Sequence, residues 1–286
     1  MFAIITKDNV PIKNITTFKH NGNIQKLITF ENTQEIRAFL ATNQPFNIIG
    51  AGSNTIINPD HSNNVFIKIS ETFIPIQHQD HILTVSAGFP SQKLVSYTQT
   101  NNLSKLEFLA GVPASIGGMI AMNFGCFGHY ISNIIHEITA IDLFGNEIIL
   151  KPQECNFEYR SSIFKKENYI ITSAKFITQK KPNQEIKNQI TQYLLHRKER
   201  HPINKKTFGC IFKNPPTKSA GKIIEDLGLK GYKYKNIQIS TKHANFLINL
   251  GNVEFNDIIY VINKIKTQSK NELNIELEPE VHIFND

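Results

Sequence analysis

Two spacings of apolar residues alternate along the chain, and they mark it out in blocks. In "NTQEIRAFLAT", Ile36, Phe39 and Leu40 recur at helical spacing behind Asn32 as N-cap, with Glu35 in the first turn, so a helix is predicted there. "PFNIIGAGSNTII" follows as a short apolar strand running into a glycine turn, a β-α-β start. "NVFIKIS" and "ILTVSAGFP" read as strands. "SQKLVSYTQTNN" reads as a helix with Leu94, Val95 and Thr98 on one side. Further strands are predicted at "ITAIDLFGNEIIL", with Phe144-Gly145-Asn146 at its hairpin turn, and at "YIITSAKFITQ". The polar tract Lys180–Glu185, which contains a proline, reads as a boundary. After it, Ile186, Ile190 and Leu194 space a connecting helix that ends before Pro202. The last block is predicted to hold a helix at "SAGKIIEDLGLKG" ended by Gly228 or Gly231 and a strand at "HANFLINLG". A long helix with Asn256 as N-cap and a final strand, "IELEPEVHIF", complete it.

Composition narrows the class. The chain has 286 residues, 40% hydrophobic and 19% charged, enough for two or three domains of a soluble, ordered protein. No apolar run reaches the roughly 20 residues that span a bilayer. The apolar start lacks a basic leader and a cleavage site, so no signal peptide and no membrane association are expected. Three cysteines at unrelated spacings suggest neither a disulfide framework nor a zinc ribbon, and a reducing, cytoplasmic compartment is expected. The histidines show no metal-ligand spacing, so no metal is expected. The net charge of +7 suits a nucleic acid or a phosphorylated small ligand. The densest basic run, His196–Lys206, has no interleaved aromatics and no zinc-finger or RNA-binding motif, which makes a solvated helix end the simpler account.

Three stretches carry candidate chemistry. "IIGAGSN", Ile48–Asn54, follows a strand with Gly-Ala-Gly-Ser-Asn, whose main-chain N–H groups can cradle a pyrophosphate or form an ordinary turn. It is not the dinucleotide fingerprint, because Thr55 stands where the third glycine would be. "LAGVPASIGGMIAMNFGCFG", Leu109–Gly128, is so rich in small residues that its backbone can lie against a large flat ligand; buried small-residue packing is the alternative. In "YRSSIF" an arginine stands beside two serines in an otherwise apolar, strand-like stretch, suited to an anionic oxygen or to a structural salt bridge. "TFGCIFKNPP" then poses a choice for Cys210, between a small buried apolar residue and a thiol placed for chemistry.

The motifs "TTFK", "IIGAGSN", "LEFLAGVPASIGGMIAMNFGCFG", "CNFEYRSSIF", "GCIFKNP", "AGKIIEDLGLKG", "QISTKHANFLIN" and "LEPEV" occur in one order from Thr16 to Val281. In that order they resemble the UDP-N-acetylenolpyruvoylglucosamine reductase family. The resemblance implies an α+β fold: a two-subdomain FAD-binding half of vanillyl-alcohol oxidase/PCMH type and a C-terminal α+β substrate-binding domain. The corresponding boundaries are 1–70 and 71–200 for the FAD-binding subdomains and 201–286 for the substrate domain, whose last strand can return to the FAD half. It also implies bound FAD, NADPH as co-substrate, and UDP-N-acetylglucosamine enolpyruvate as the molecule reduced, in a monomer that binds no nucleic acid. No insertion stands between Tyr169 and Pro202, as in the family's shorter form, which lacks the tyrosine loop that closes over substrate.

Carried over by motif, Gly50, Ala51, Gly52, Ser53, Asn54, Gly111, Pro113, Ser115, Gly117, Gly118, Asn123 and Gly125 would hold the flavin. Arg160 would stabilise the carboxylate and enolate, and Glu280 would act as a second polarising or acidic group. Cys210 would donate the proton where many members have a serine. Tyr159, Lys213 and Asn214 would bind substrate, and a cation such as Lys213 would favour the thiolate of Cys210. Cys126 and Cys155 would be structural, and His243 and Asn245 would hold the substrate-domain strand. Three competing readings are another FAD oxidoreductase of the same fold, a basic nucleic-acid-binding protein and a flavin-binding protein that has lost activity; only the second predicts salt-sensitive association with DNA or RNA and no flavin.

Overall fold

The structure, a computed structural model, describes residues 4–61, 64–166 and 169–285. The apolar start of the sequence, Met1–Ala3, lies outside the described residues. The chain divides into two compact units. The first gathers Lys26–Ala51 and Val65–His196 with the chain up to Lys7; the second gathers Asp8–Gln25, Gly52–Asn64 and the chain from Arg197 onward. The division after His196 falls inside the helix Asn183–Arg200, and Lys180–Glu185 forms the entry to that helix.

In the first unit, residues 26–30 of the strand Asn23–Phe30 run parallel to Val65–Ile69, with Lys26 opposite Val65 and Phe30 opposite Ile69. Asn47–Ile48 pairs on the other side of Val65–Ile69. The helix Thr33–Leu40 makes the crossover between parallel strands. Asn32 caps it by accepting from Glu35 N at 3.0 Å, and Glu35 reaches back to accept from Glu31 N at 2.8 Å. A five-stranded antiparallel sheet follows, in the order Glu147–Leu150, Ile135–Ile141, Ile170–Ile177, Ile82–Ser86, Gln77–Gln79. Its hairpin turns at Phe144–Asn146, where Asp142 Oδ1 accepts from Phe144 N and Asn146 N and Gly145 takes a φ of 83°. The helix Ser91–Thr100 buries Leu94, Val95 and Thr98, as its spacing predicts. One apolar core joins these elements, from Ile28 to Ile190.

The second unit has its own core, from Phe18 to Val281. The helices Ala220–Asp226 and Phe255–Leu273 contribute to it, with a small antiparallel sheet of Lys233–Tyr234, Ile237–Ile239 and Leu247–Asn249. The final strand, His282–Phe284, lies parallel to Thr55–Ile57. Gly228 ends the shorter helix: it takes a φ of 69°, and Leu229 N reaches back to Ile224 O at 3.1 Å.

Several expectations need correction. Leu194 is 43% exposed, so only Ile186 and Ile190 anchor the connecting helix. Glu254, not Asn256, holds the N-cap position of the long helix, without a side-chain cap bond, and Glu254 Oε1 accepts from Asn21 Nδ2 at 2.6 Å. "HANFLINLG" is a strand only from Leu247, because a turn at Ser240–Phe246 uses its first residues. The strand Asn23–Phe30 is missed by periodicity because Ile24, Leu27 and Ile28 mimic helical spacing.

Candidate functional site

In the first unit, both glycine-rich stretches meet. A Cβ on Gly50 would lie 2.2 Å from Ser115 Oγ and 3.8 Å from Gly118 Cα, so the turn after the strand Asn47–Ile48 rests on the start of the helix Ile116–Ala121. Ser115 caps that helix by accepting from Gly118 N at 3.3 Å. The loop before it, which contains Gly111 and Pro113, is pinned to the end of the strand Ile82–Ser86. Ser91 Oγ donates to Val112 O at 2.5 Å, Ile116 N to Phe89 O at 3.1 Å, and Gly117 N to Ala87 O at 2.7 Å. A Cβ on Gly117 would come within 3.0 Å of Ala87 Cβ, which is why this crossing takes a glycine. Gly50, Ala51, Gly111, Pro113, Ser115, Gly117, Gly118, Asn123 and Gly125 all belong to this unit.

Asn123 turns out of the helix with a φ of 40° and is 5% exposed. Its Nδ2 donates to Glu158 O at 2.9 Å, while its Oδ1 is buried with no hydrogen-bond partner. This couples the small-residue stretch to "YRSSIF". That stretch is not a strand: Glu158 and Ser161 close a tight turn by exchanging backbone hydrogen bonds of 3.0 and 3.3 Å, and Ile163–Lys166 is helical. Arg160 sits in the turn with a φ of 57°. Its guanidinium lies 5.2 Å from the Tyr159 ring centroid and 5.9 Å from that of Phe124. Ser162 Oγ locks the turn onto Ala121 O at 2.8 Å. Arg160 is thus held by a strained backbone and two rings, which suits recognition of an anionic ligand. Cys155 is buried, and burial, with a smaller contribution from Glu154, pushes its thiol up to about 11. Cys126 Sγ donates to Phe108 O at 3.2 Å.

The second unit holds Gly52, Ser53, Asn54, Cys210, Lys213, Asn214 and Glu280. Gly52 has a φ of 63°, and a Cβ there would fall 2.0 Å from Ile15 O. Thr17 of "TTFK", a residue the sequence left without a role, ties the turn down: its N donates to Gly52 O at 3.0 Å and its Oγ1 to Thr207 O at 2.7 Å. Asn54 Nδ2 donates to Glu280 O at 3.0 Å, and His282 N to Asn54 O at 3.0 Å. The end of the first glycine turn, "GCIFKNP" and "LEPEV" are therefore neighbours.

Cys210 is partly exposed, in no disulfide, and preceded by Gly209 at a φ of 82°. Its segment is held from both sides. Glu280 N donates to Ile211 O at 2.8 Å and Lys213 N to Glu278 O at 2.9 Å on one side. On the other, Cys210 pairs with Phe246, and Ile211 N donates to Asn245 O at 2.9 Å. The buried Asn245 side chain clamps Phe212 twice, accepting from its N at 2.9 Å and donating to its O at 2.8 Å. Lys213 Nζ is engaged by Glu278 Oε1 at 2.5 Å. Asn214 Oδ1 accepts from Ala220 N at 3.0 Å, which gives this expected substrate ligand a structural duty at the start of a helix.

A strained arginine turn and a cradle of glycine and small residues lie in the first unit, and a clamped thiol segment lies in the second. The comparisons with known proteins give the class of protein. Residues 25–150 match the profile described as "FAD binding domain", which makes this a flavoprotein fold with an additional C-terminal domain. Residues 201–284 match "UDP-N-acetylenolpyruvoylglucosamine reductase, C-terminal domain". The chain is similar to the UDP-N-acetylenolpyruvoylglucosamine reductase of Syntrophomonas wolfei, with 31% identity over 97% of this chain and 94% of that one. It is similar to that of Caldanaerobacter subterraneus, with 32% identity over 96% and 92%. The crystal structure of UDP-N-acetylenolpyruvylglucosamine reductase (MurB) from Thermus caldophilus superposes with a TM-score of 0.86, at 29% identity over 99% of this chain and all of that one. The chain belongs to the UDP-N-acetylenolpyruvoylglucosamine reductase family.

Proposed function

We propose that this chain reduces the enolpyruvyl ether of UDP-N-acetylglucosamine to the lactyl ether, UDP-N-acetylmuramate, with bound FAD and with NADPH as reductant, in peptidoglycan precursor synthesis. The carrying observation is the doubly clamped segment around Cys210, next to "LEPEV" and behind a glycine of positive φ. It presents a thiol from rigid backbone, the arrangement a positioned proton donor needs. We also assign the protein to the cytoplasm as a monomer that serves cell-wall growth, cell shape and division; its three cysteines, none in a disulfide, fit a reducing compartment.

The residues present fit a flavin. Gly50 and Ser115–Gly118 bring two bare backbone turns together, and Asn123 Oδ1 is a buried acceptor awaiting a donor. With Gly111, Pro113 and Gly125 in the first unit, and Gly52, Ser53 and Asn54 in the second, they would hold FAD. When bound, FAD would supply the hydride chemistry that carries hydride from NADPH to C3 of the enolpyruvyl group. Addition at C3 moves the alkene electron pair to C2 and onto the carboxylate. Arg160 provides fixed positive charge for that enolate. Cys210 Sγ–H gives its proton to C2, completing the lactyl group, and the thiolate left behind takes a proton from solvent. A thiol with an ordinary pKa of about 8.5 carries its proton at neutral pH and is a stronger acid than a serine hydroxyl. Glu280 serves as the second polarising group, and Tyr159, Lys213 and Asn214 bind the substrate.

Anaerobic half-reactions test this. NADPH should bleach the flavin of the wild type and of Cys210→Ala at similar rates. Reoxidation by the enolpyruvyl substrate should fall by about 100-fold or more in Cys210→Ala, the range for loss of a general acid. Cys210→Ser should retain useful activity. Reoxidation at the wild-type rate in Cys210→Ala would remove Cys210 as donor, and a wild-type flavin that the substrate fails to reoxidise would remove the reaction itself.

A further inference from the structure

The turn that holds Asn245 contains a histidine whose ring bonds to its backbone. His243 Nδ1 accepts the backbone N–H of Asn245 at 3.2 Å, and His243 O accepts from Phe246 N at 3.1 Å. Ser240 Oγ accepts from His243 N at 3.3 Å and from Lys242 N at 3.1 Å. The residues so placed are the two that grip the thiol segment. Phe246 pairs with Cys210, and Asn245 binds Ile211 through its carbonyl and Phe212 through its side chain. A short path of hydrogen bonds therefore runs from the imidazole, through Asn245, to the backbone that follows Cys210.

We infer that His243 is a positioning residue for Cys210 and that only its neutral form, with the proton on Nε2, is competent. A protonated ring carries N–H at both nitrogens. Its Nδ1–H would then face the Asn245 N–H, donor against donor, and the turn would have to open. The surroundings oppose that charge. The ring packs edge-on against Phe246 with centroids 5.0 Å apart and against His201 with centroids 5.5 Å apart. A Cβ on Gly221, in the helix Ala220–Asp226, would lie 3.0 Å from its Cε1, so that helix takes a glycine where it covers the ring. The charged and titratable groups around it are His201, Lys230 and Lys242, with Lys242 Nζ donating to Lys198 O at 2.6 Å. Lys230 Nζ is itself paired with Glu225 Oε1 at 3.1 Å, a carboxylate of the covering helix. Burial, helped by Lys230 and opposed by the ring's own backbone carbonyl, holds the His243 pKa below its ordinary 6.5. The clamp is thus set at neutral pH and releases on acidification below that range.

The inference rests on Cys210 as proton donor, and its test separates the two. The flavin-loaded wild type, His243→Asn and His243→Leu are compared in the anaerobic half-reactions across pH, with Cys210→Ala alongside. Asn offers an Oδ1 near the Nδ1 position and does not titrate; Leu offers no acceptor. His243→Leu should reoxidise at least about 10-fold more slowly while NADPH reduction is unchanged. His243→Asn should restore most of the reoxidation rate and lose the acid limb of its pH profile. Hydrogen exchange on the same proteins gives a readout independent of turnover. The Asn245, Ile211 and Phe212 amides should lose protection in the wild type on acidification and in His243→Leu at every pH, but not in His243→Asn. If His243→Leu slowed both half-reactions alike, or His243→Asn were as impaired as His243→Leu, or the amides kept their protection in acid, His243 would be structural only. If Cys210→Ala reoxidised normally while the amides behaved as described, the donor assignment would fall and the histidine-controlled clamp would stand.

Discussion

Asn245→Ala isolates the clamp. The side chain is 1% exposed and makes two hydrogen bonds, both to the backbone of the buried Phe212. Alanine removes both partners at once. It leaves the Phe212 N–H and C=O without them, in a place that folding has already emptied of water. Each buried backbone group left unpaired costs about 1–3 kcal/mol, so the pair predicts a loss of about 2–6 kcal/mol, centred near 4. The backbone bond from Ile211 N to Asn245 O survives the substitution, as does the bond from Glu280 N to Ile211 O, so the segment should loosen without leaving its place. The chain has no Trp, so the natural assay is urea unfolding followed by far-UV circular dichroism, with hydrogen exchange at the Phe212 amide as the local readout. Protection at Phe212 should fall by more than at amides in the first unit. A loss below about 1 kcal/mol, the net worth of an ordinary hydrogen bond, would refute the reasoning, because it would mean that water or a shifted backbone satisfies both groups. So would unchanged protection at Phe212.

Two further outcomes follow from the geometry. Gly50→Ala places a methyl 2.2 Å from Ser115 Oγ and forces that hydroxyl off Gly118 N, which should cost about 1 kcal/mol for the lost cap and lower the flavin content of the purified protein. Ser115→Ala in the same chain should relieve the clash, so strictly additive losses in the double variant would show that the two stretches do not meet. His20 is fully buried; its Nε2 accepts from Ile57 N at 3.3 Å while its Nδ1 donates to Asn21 O at 2.9 Å, the pattern of a neutral ring. Burial, against smaller opposing effects of Asn21 and Glu254, lowers its pKa from 6.5. Below that value the unfolded chain binds a proton that the folded one refuses, so stability should hold at higher pH and fall as pH drops through about 6.5, by up to about 1.4 kcal/mol per pH unit. Thermal melts of His20→Gln between about pH 8 and about pH 5 should show a shallower fall, and an unchanged slope would assign the acid sensitivity elsewhere.

Local signals explain which parts of the fold could be read from the chain. The helix behind Asn32 and the hairpin at Phe144–Asn146 are specified by residues within a few positions of each other, and both form as the pattern predicts. The errors lie where distant partners decide. Glu254 takes the N-cap position of the long helix, and Asn21, from an early loop, binds its carboxylate. Arg160 leaves the strand pattern because its neighbours are tied to Asn123 and Ala121 in the preceding glycine-rich stretch. A side chain can impose such a turn only after the rest of the unit is in place, and no spacing along the sequence reports it.

The same distinction runs through the site. Sequence motifs identify the residue types, a cysteine among glycine and apolar neighbours and an arginine beside two serines, because those depend on chemistry carried by single positions. What they leave out is the support. Thr17 binds Thr207 across 190 positions, Asn54 binds Glu280 across 226, and Asn245 binds Phe212 across 33. These supports are asparagines and a threonine, residue types that are common in this chain and carry no signature of their own. Their importance comes from burial. An amide is worth little on a surface, where water competes for it, but inside a core it fixes backbone, since every alternative leaves a polar group unpaired. Substitution should therefore separate the two kinds of residue. Changing the thiol should alter one half-reaction and leave stability nearly untouched, whereas changing Asn245 should lower stability first and slow proton transfer as a consequence.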